Sequence, residues 1–214
     1  MNSLQSGNGV LAEVASYYSG KLAEYGDTPR GVDWNGEEGQ NRRFEQLHKI
    51  VDPKKPDYSL NDLGCGYGAL LDYLHDRRLA CNYLGIDVSQ EMIVAAEKRH
   101  AAVRQSRFIA SAEPDRIADY GVASGIFNVR LGTTDAEWFD YLQDTLEVLN
   151  RTSSLGFAFN CLTSYSDNDK KRDYLYYADP CRLFELCKQR YSSQVALLHD
   201  YGLYEFTILV RKTP

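Results

Sequence analysis

The sequence predicts a single α/β domain built on a mostly parallel sheet, with helices on both faces and an antiparallel final strand. Three observations carry that expectation. The chain has 214 residues, the size of one domain at about 100 to 200 residues each. From residue 58 onward, short apolar runs alternate with runs of helical periodicity, which is the pattern of parallel strands joined by crossover helices. Near the C-terminal end two strand-like runs are separated only by Tyr201-Gly202, too short for a parallel crossover.

Residues 9–25 read as a helix, and residues 26–36, with Gly26, Asp27, Pro29, Gly31 and Asp33, read as a loop. A second helix follows, in which Phe44, Leu47, Ile50 and Val51 share one apolar face and Asp52-Pro53 closes the element. The first strand is YSLNDLG (58–64), followed by the helical ALLDYLHDRR (69–78). CNYLGID (81–87) is the second strand, EMIVAAEKRHAA (91–102) the next helix and SRFIAS (106–111) the third strand. GVASGIFNV (121–129), helical DAEWFDYLQDTLEVLN (135–150) and LGFAFNCL (155–162) continue the alternation. After the helix DPCRLFELCKQRY (179–191), SQVALLHD and LYEFTILVRK complete a count of seven strands.

Composition narrows the function classes. Lys and Arg number 24 against 30 Asp and Glu, a formal charge of -6, so no basic excess is present to displace counterions from a phosphate backbone. The chain is not expected to bind nucleic acid. At 43% hydrophobic and 25% charged it has the composition of a globular protein. No apolar run approaches the ~18 residues of a membrane span, and the first thirty residues lack a leader pattern, so a cytoplasmic chain with no membrane partner is expected. The five cysteines are scattered, without a Cys-x-x-Cys pair, and read as reduced packing residues with no metal role.

The most informative stretch is Asn61-Asp62-Leu63-Gly64-Cys65-Gly66-Tyr67-Gly68, directly after the first strand. Its glycines let backbone approach a ligand where the free N–H groups of a helix N-terminus collect. With Ala69 the run also passes as a loose Gly-x-Gly-x-x-Ala dinucleotide fingerprint, so a nicotinamide-dependent oxidoreductase stands as an alternative. Asp62 and the third glycine at 68 separate the two readings. At the end of the second strand, Asp87 offers a carboxylate able to accept two ribose hydroxyls.

These residues resemble the class I S-adenosylmethionine-dependent methyltransferases, over roughly residues 58–211 and including the terminal hairpin. The resemblance implies a Rossmann-like seven-stranded fold and S-adenosyl-L-methionine as cofactor. It assigns Asp62, Gly64, Gly66 and Gly68, with Cys65 between them, to the methionine end of the cofactor, and Asp87 to its ribose. Val88 and Met92 would flank the adenine; Ser89 as a helix cap and Met92 as plain core are the structural alternatives. Where many members carry an Asp for the adenine amino group, this chain has Ser111-Ala112-Glu113. Either Glu113 substitutes, or backbone at Ser111 and Ala112 serves, or Glu113 is only a first-turn helix acid. Ser124, at the end of the fourth strand, joins the cofactor set.

Neither the Asn/Asp-Pro-Pro-aromatic tetrad of nucleic-acid amino methyltransferases nor the Pro-Cys of cytosine C5 enzymes is present. The resemblance therefore implies transfer of a methyl group to an O or N atom of a small-molecule acceptor; a cofactor-binding partner protein without chemistry is a further alternative. Residues 1–57 are expected to form a helical cap on a core of residues 58–214. In that cap the Gly31-Val32-Asp33-Trp34-Asn35 loop, with Tyr17, Tyr18, Trp34 and Arg43, is placed to touch cofactor or acceptor; Tyr18 and Arg43 also read as packing and surface charge. The stretches GVDWN, ASGIFNVRL, GFAFNCLTSYSD, LYYADP and LHDYGLYEFTILV resemble a group of small bacterial methyltransferases.

Acceptor contacts are expected beyond the carboxyl ends of strands four to six. His199, at the end of strand six, is the candidate general base, with an unperturbed pKa near ~6.5. Asn160 and Tyr165 are candidates to orient the acceptor. Tyr165, Tyr174, Tyr176 and Tyr177 are expected either to wall the pocket or to lie in a surface loop.

Overall fold

The computed structural model describes residues 3–34 and 36–212. Asn35, named above in the capping loop, lies outside the described residues, as do the outermost two residues of the expected cap and core segments.

One sheet holds β1 (Ser59–Leu63), β2 (Asn82–Asp87), β3 (Ser106–Ala110), β4 (Ala118–Ala123), β5 (Ser153–Leu162), β6 (Gln194–Leu198) and β7 (Glu205–Arg211), in the order β3-β2-β1-β4-β5-β7-β6. Strands β1 to β5 pair in parallel, and β7 runs antiparallel to both β5 and β6. The chain leaves β1 toward β2 on one side, while β4 on its other side leads away to β5. The loops at the carboxyl ends of β1 and β4 therefore diverge and leave a crevice, the usual ligand position in an open α/β sheet.

The helices are α1 (Ser3–Tyr25), α2 (Glu37–His48), α3 (Ala69–Asp76), α4 (Gln90–Arg99), α5 (Asp135–Arg151) and α6 (Pro180–Arg190), with a short 3-10 helix at Pro29–Val32. On one face α2, α3 and α4 bury Phe44, Leu47, Leu70, Leu74, Ile93 and Ala96 against Leu60, Tyr83 and Val122. On the other, α5 and α6 bury Trp138, Leu142, Leu146, Leu149, Leu183 and Cys187 against Phe157, Phe159 and Ile208. The spacing of the α5 residues puts them on one stripe, and each such side chain contributes about 1.5 to 3 kcal/mol when fully buried. Helix starts follow local chemistry: Thr134 and Glu137 form a capping box at α5, and Asp179 accepts the Cys181 and Arg182 amides ahead of α6.

The structure departs from the expected boundaries in several places: α1 starts at Ser3, six residues ahead of the reading over 9–25, and β5 starts at Ser153. Helix α2 ends at His48, yet Ile50 and Val51 stay in the core by way of the turn that follows it. Strand β4 begins three residues earlier than the pattern suggested and stops at Ala123, because Gly125 takes the left-handed region at φ 77° and turns the chain away. Residues 124–128 are thus a loop at the crevice and not strand. Between β3 and β4 the chain crosses in residues 111–117 without a helix, which leaves α1 to approach that side of the sheet, with Val14 packed into the α5 core.

Among the described residues no helix is long and apolar enough to cross a membrane, no His, Cys, Asp and Glu cluster could hold a metal, and the cysteines are unpaired.

Candidate active site

A cavity of about 1130 Å³ occupies the crevice, lined by the β1 loop, the ends of β2 and β4, α1, the loop after α1 and the outer face of α5. Asp62, Gly64, Cys65, Gly66, Asp87, Val88, Met92, Ser111, Ala112, Glu113, Ser124 and Trp34 all line it. Gly68 caps α3 one step behind the wall, with φ 86°. Gly66 has φ 54°, and a Cβ there would come 2.9 Å from Val32 Cγ1 of the capping loop. Backbone conformation and space both demand glycine at this point.

Asp87 is held by main chain. Its Oδ2 accepts the Gly66 amide at 2.9 Å and its Oδ1 accepts the Ser89 amide at 2.9 Å. A carboxylate offers about four lone-pair sites, so about two remain for a ligand. Burial raises the pKa of Asp87, against the pull of those amides. Ser89 Oγ in turn accepts the Met92 amide at 3.1 Å, and Met92 is both core and cavity wall.

Asp62 lies deeper. Its carboxyl is 2% exposed and accepts the Tyr83 hydroxyl at 2.6 Å. Burial pushes its pKa up to about 7 and nearby Asp87 adds to this, while the Tyr83 hydrogen bond opposes it. Near neutral pH this carboxyl therefore has its proton ready to release when a cationic group arrives.

The roof is the loop after α1. Asp33, at φ 62°, accepts the Tyr17 hydroxyl at 2.8 Å and pairs with Lys21 at 3.1 Å, which fixes the loop to α1. Val32 then faces Gly66, and Trp34 lies so close over Gly125 that a Cβ at 125 would overlap its ring. Tyr18, whose pKa is raised by burial, lines the cavity, whereas Tyr17 is spent on Asp33.

Four expected site residues lie away from the cavity wall. Arg43 does not face the cavity: its guanidinium grips Glu205 with Nε to Oε2 at 2.8 Å and Nη2 to Oε1 at 2.9 Å, and it stacks 3.8 Å from the Trp34 ring centre. Asn160 is fully buried; its Oδ1 accepts the Gly125 amide at 2.7 Å and its Nδ2 donates to Glu205 Oε2 at 2.8 Å, so the carboxamide is turned to these partners behind the cavity wall. Tyr165 is 71% exposed, and exposed His199 lies against it with ring centres 6.1 Å apart. Neither lines the cavity, because β7 intervenes between β5 and β6 and sets the end of β6 at the outer edge of the sheet. Glu113 does line the cavity but is exposed and paired with Arg151. Of the tyrosines, Tyr176 and Tyr177 wall a separate cavity of about 560 Å³ with Arg182, Phe139 and Asp140.

The sequence did not reveal Gln40, Phe44, Tyr67, Ile126 and Tyr141 as cavity residues. Gln40 carried a faint signal as a polar residue beside the apolar face of α2; it is 4% exposed and accepts the Tyr67 hydroxyl at 3.3 Å. The pKa of Tyr141 is raised by burial to about 12.

A family profile described as "Methyltransferase domain" matches residues 61–155. A protein of Mycobacterium tuberculosis (strain ATCC 25618 / H37Rv), named "Putative methyltransferase Rv1506c", is 63% identical over 164 residues, spanning 77% of this chain and 98% of that protein. The chain belongs to the class I S-adenosylmethionine-dependent methyltransferases. Solved structures agree on the fold: DhpI in complex with SAH superposes with a TM-score of 0.64 at 16% identity, over 97% of this chain and 98% of that one. The magnesium protoporphyrin IX methyltransferase ChlM from Synechocystis PCC 6803 with bound SAH gives 0.61 at 12% identity, over 82% and 84%. The cofactor of this methyltransferase is S-adenosyl-L-methionine, which supplies an electrophilic methyl on a sulfonium.

The residues present fit that group. The loop at Gly66 has room only for backbone, and Asp87 keeps free acceptor sites. Ser124 Oγ is buried in the wall without a hydrogen-bond partner, an arrangement that a polar ligand would relieve.

Proposed function

We propose that this methyltransferase transfers its methyl group to an O or N atom of a small-molecule acceptor bound in the same cavity, with residues 1–57 acting as a cap on a core of residues 58–214. The observation that carries this reading is the size of the cavity together with the roof that covers part of it. At about 1130 Å³ it exceeds the roughly 300 to 1000 Å³ of a single-ligand pocket, and α1 with Val32 and Trp34 roofs it. The acidic balance of the chain favours the same class, as do the names of relatives that act on compounds such as magnesium protoporphyrin IX.

Within this reading Asp62 faces the cofactor ammonium, Gly64, Cys65, Gly66 and Gly68 cradle its methionine end, and Asp87 accepts the ribose hydroxyls. Val88 and Met92 flank the adenine, Ser111 and Ala112 offer it their main chain, and Ser124 supplies its unpartnered hydroxyl. Glu113 belongs to the rim. Transfer is an in-line displacement, so the protein's task is to hold two reactants in contact and exclude water. Holding the reactants in contact is the contribution assigned to the protein; among the described residues the cavity wall carries carboxylates and tyrosines and no histidine.

Incubation with isotopically labelled S-adenosylmethionine and a metabolite extract, read by mass spectrometry, tests this reading. A labelled small molecule heavier by one methylene than its precursor is the expected result. Label appearing only in protein or nucleic acid would overturn it.

A further inference from the structure

We infer that Arg43, Glu205 and Asn160 are positioning residues for methyl transfer, a buried charged relay that fixes Trp34 of the capping loop and the Gly125 backbone against each other. The inference rests on the reading of the cavity as the site of transfer. Five segments meet here: the loop after α1, α2, the end of β4, β5 and β7. Glu205 is the hinge of the arrangement. Its side chain is wholly buried, and its two oxygens take both fork nitrogens of Arg43, at 2.8 and 2.9 Å, with Oε2 also taking Asn160 Nδ2 at 2.8 Å.

Each end of the relay reaches a cavity wall. On one end Arg43 lays its guanidinium on one face of Trp34, 3.8 Å from the ring centre, and the ring edge covers Gly125. On the other, Asn160 Oδ1 receives the Gly125 amide at 2.7 Å, just where the chain leaves β4 past Ser124. A fully desolvated carboxylate is costly, and a hydrophobic pair of similar volume often stabilises a fold as well or better. Stability alone does not require a charged relay at this place. What the relay adds is direction: the planar fork fixes the guanidinium, the guanidinium fixes the ring, and the ring closes the cavity over the end of β4.

The test uses Glu205→Gln and the double variant Arg43→Met with Glu205→Gln, in the full chain. The double variant removes both charges and keeps the volume; the single variant leaves Arg43, 12% exposed in its side chain, free to turn to water. The chain has two tryptophans, and Trp138 is fully buried, so acrylamide quenching reports on Trp34. Calorimetry with S-adenosylhomocysteine as probe gives affinity. The expected result, at a melting temperature near the parent's, is at least a twofold rise in quenching, loss of its suppression by the probe, and at least a tenfold fall in affinity. Parental quenching and affinity in either folded variant would overturn the inference and leave the relay purely structural. Failure of the cavity reading would show separately, as parental affinity in Asp87→Ala.

Discussion

Two walls of one cavity are held by different kinds of contact. On the wall proposed to hold the cofactor the main chain does most of the work, and its links are short in sequence: the Gly66 amide to Asp87 joins residues 21 apart and the Ser111 amide to the Asp87 carbonyl residues 24 apart. On the lid wall side chains do it, and the grip of Arg43 on Glu205 joins residues 162 apart. The first wall needs the absence of side chains at its glycines and one acid at a strand end. The second needs every partner present, because each member removed leaves a buried polar group unpaired. One wall is therefore sensitive to added atoms, the other to lost ones.

The contrast is tested hardest at Asp62, a buried acid on the cofactor wall with no cationic partner among the described residues. Its folded pKa of about 7 lies above the ordinary ~3.9. The folded protein thus holds a proton that the unfolded chain releases, so the contribution is complete below about pH 4 and is lost as pH rises to about 7. Asp62→Asn should remove that decline. Relative to the variant, the parent should lose on the order of 4 kcal/mol between pH 4 and pH 8 in denaturant unfolding. The same proton should make cofactor affinity in the parent fall below pH 7, and less so in Asp62→Asn. Parallel stability curves for the two proteins would show that folded Asp62 keeps an ordinary carboxylate pKa and that its wall accommodates the charge at little cost.

Next in size is Gly66→Val, which adds atoms to the wall that tolerates none. With φ 54° and Val32 Cγ1 at 2.9 Å from the new Cβ, calorimetry should give at least a hundredfold loss of S-adenosylmethionine affinity, about 2.8 kcal/mol. Parental affinity would mean that the loop and Val32 both move away freely. Asn160→Ala removes atoms from the other wall. It strands the Gly125 amide and one Glu205 lone pair, and should cost roughly 1 to 3 kcal/mol of stability, read from the midpoint of urea unfolding. A loss below 0.5 kcal/mol would be the size of an ordinary surface change and would refute the importance of the relay to the fold.

The same contrast explains what the sequence made legible. The strand and helix alternation, the antiparallel ending and the glycine loop with Asp87 are encoded by neighbours, and the structure shows each of them. Strand β4 misled because its apolar run continues through Ile126 and Phe127, past the left-handed turn at Gly125; the run has the composition of a strand and the geometry of a loop. Arg43 and Asn160 stand out in the sequence, but the sequence does not show the groups they touch, which are Glu205, Trp34 and Gly125. Their partner, Glu205, sits at the start of a strand with no local feature to mark a buried carboxylate, and only the placement of β7 beside β5 brings it to them. Gln40 and Tyr141 were missed for the same reason, since a helix pattern tells which residues share a face and not what that face meets.

The smallest effect is expected at His199, and it sharpens the comparison from outside both walls. Position along the chain recommended it: a histidine at the carboxyl end of a strand, beside a turn. Sheet order removes it, because β7 lies between β5 and β6. The imidazole is exposed, resting against Tyr165 and Phe206 with ring centres 6.1 and 6.0 Å away. With neither wall to lose, His199→Ala should change stability by no more than about 0.5 kcal/mol and leave S-adenosylmethionine affinity within about twofold, a shift under roughly 0.5 kcal/mol. Calorimetry and urea unfolding of this one variant give both numbers. A tenfold loss of affinity would mean that the β6–β7 turn reaches the cavity once cofactor is bound, and the boundary drawn here between cavity wall and sheet edge would have to move outward by two strands.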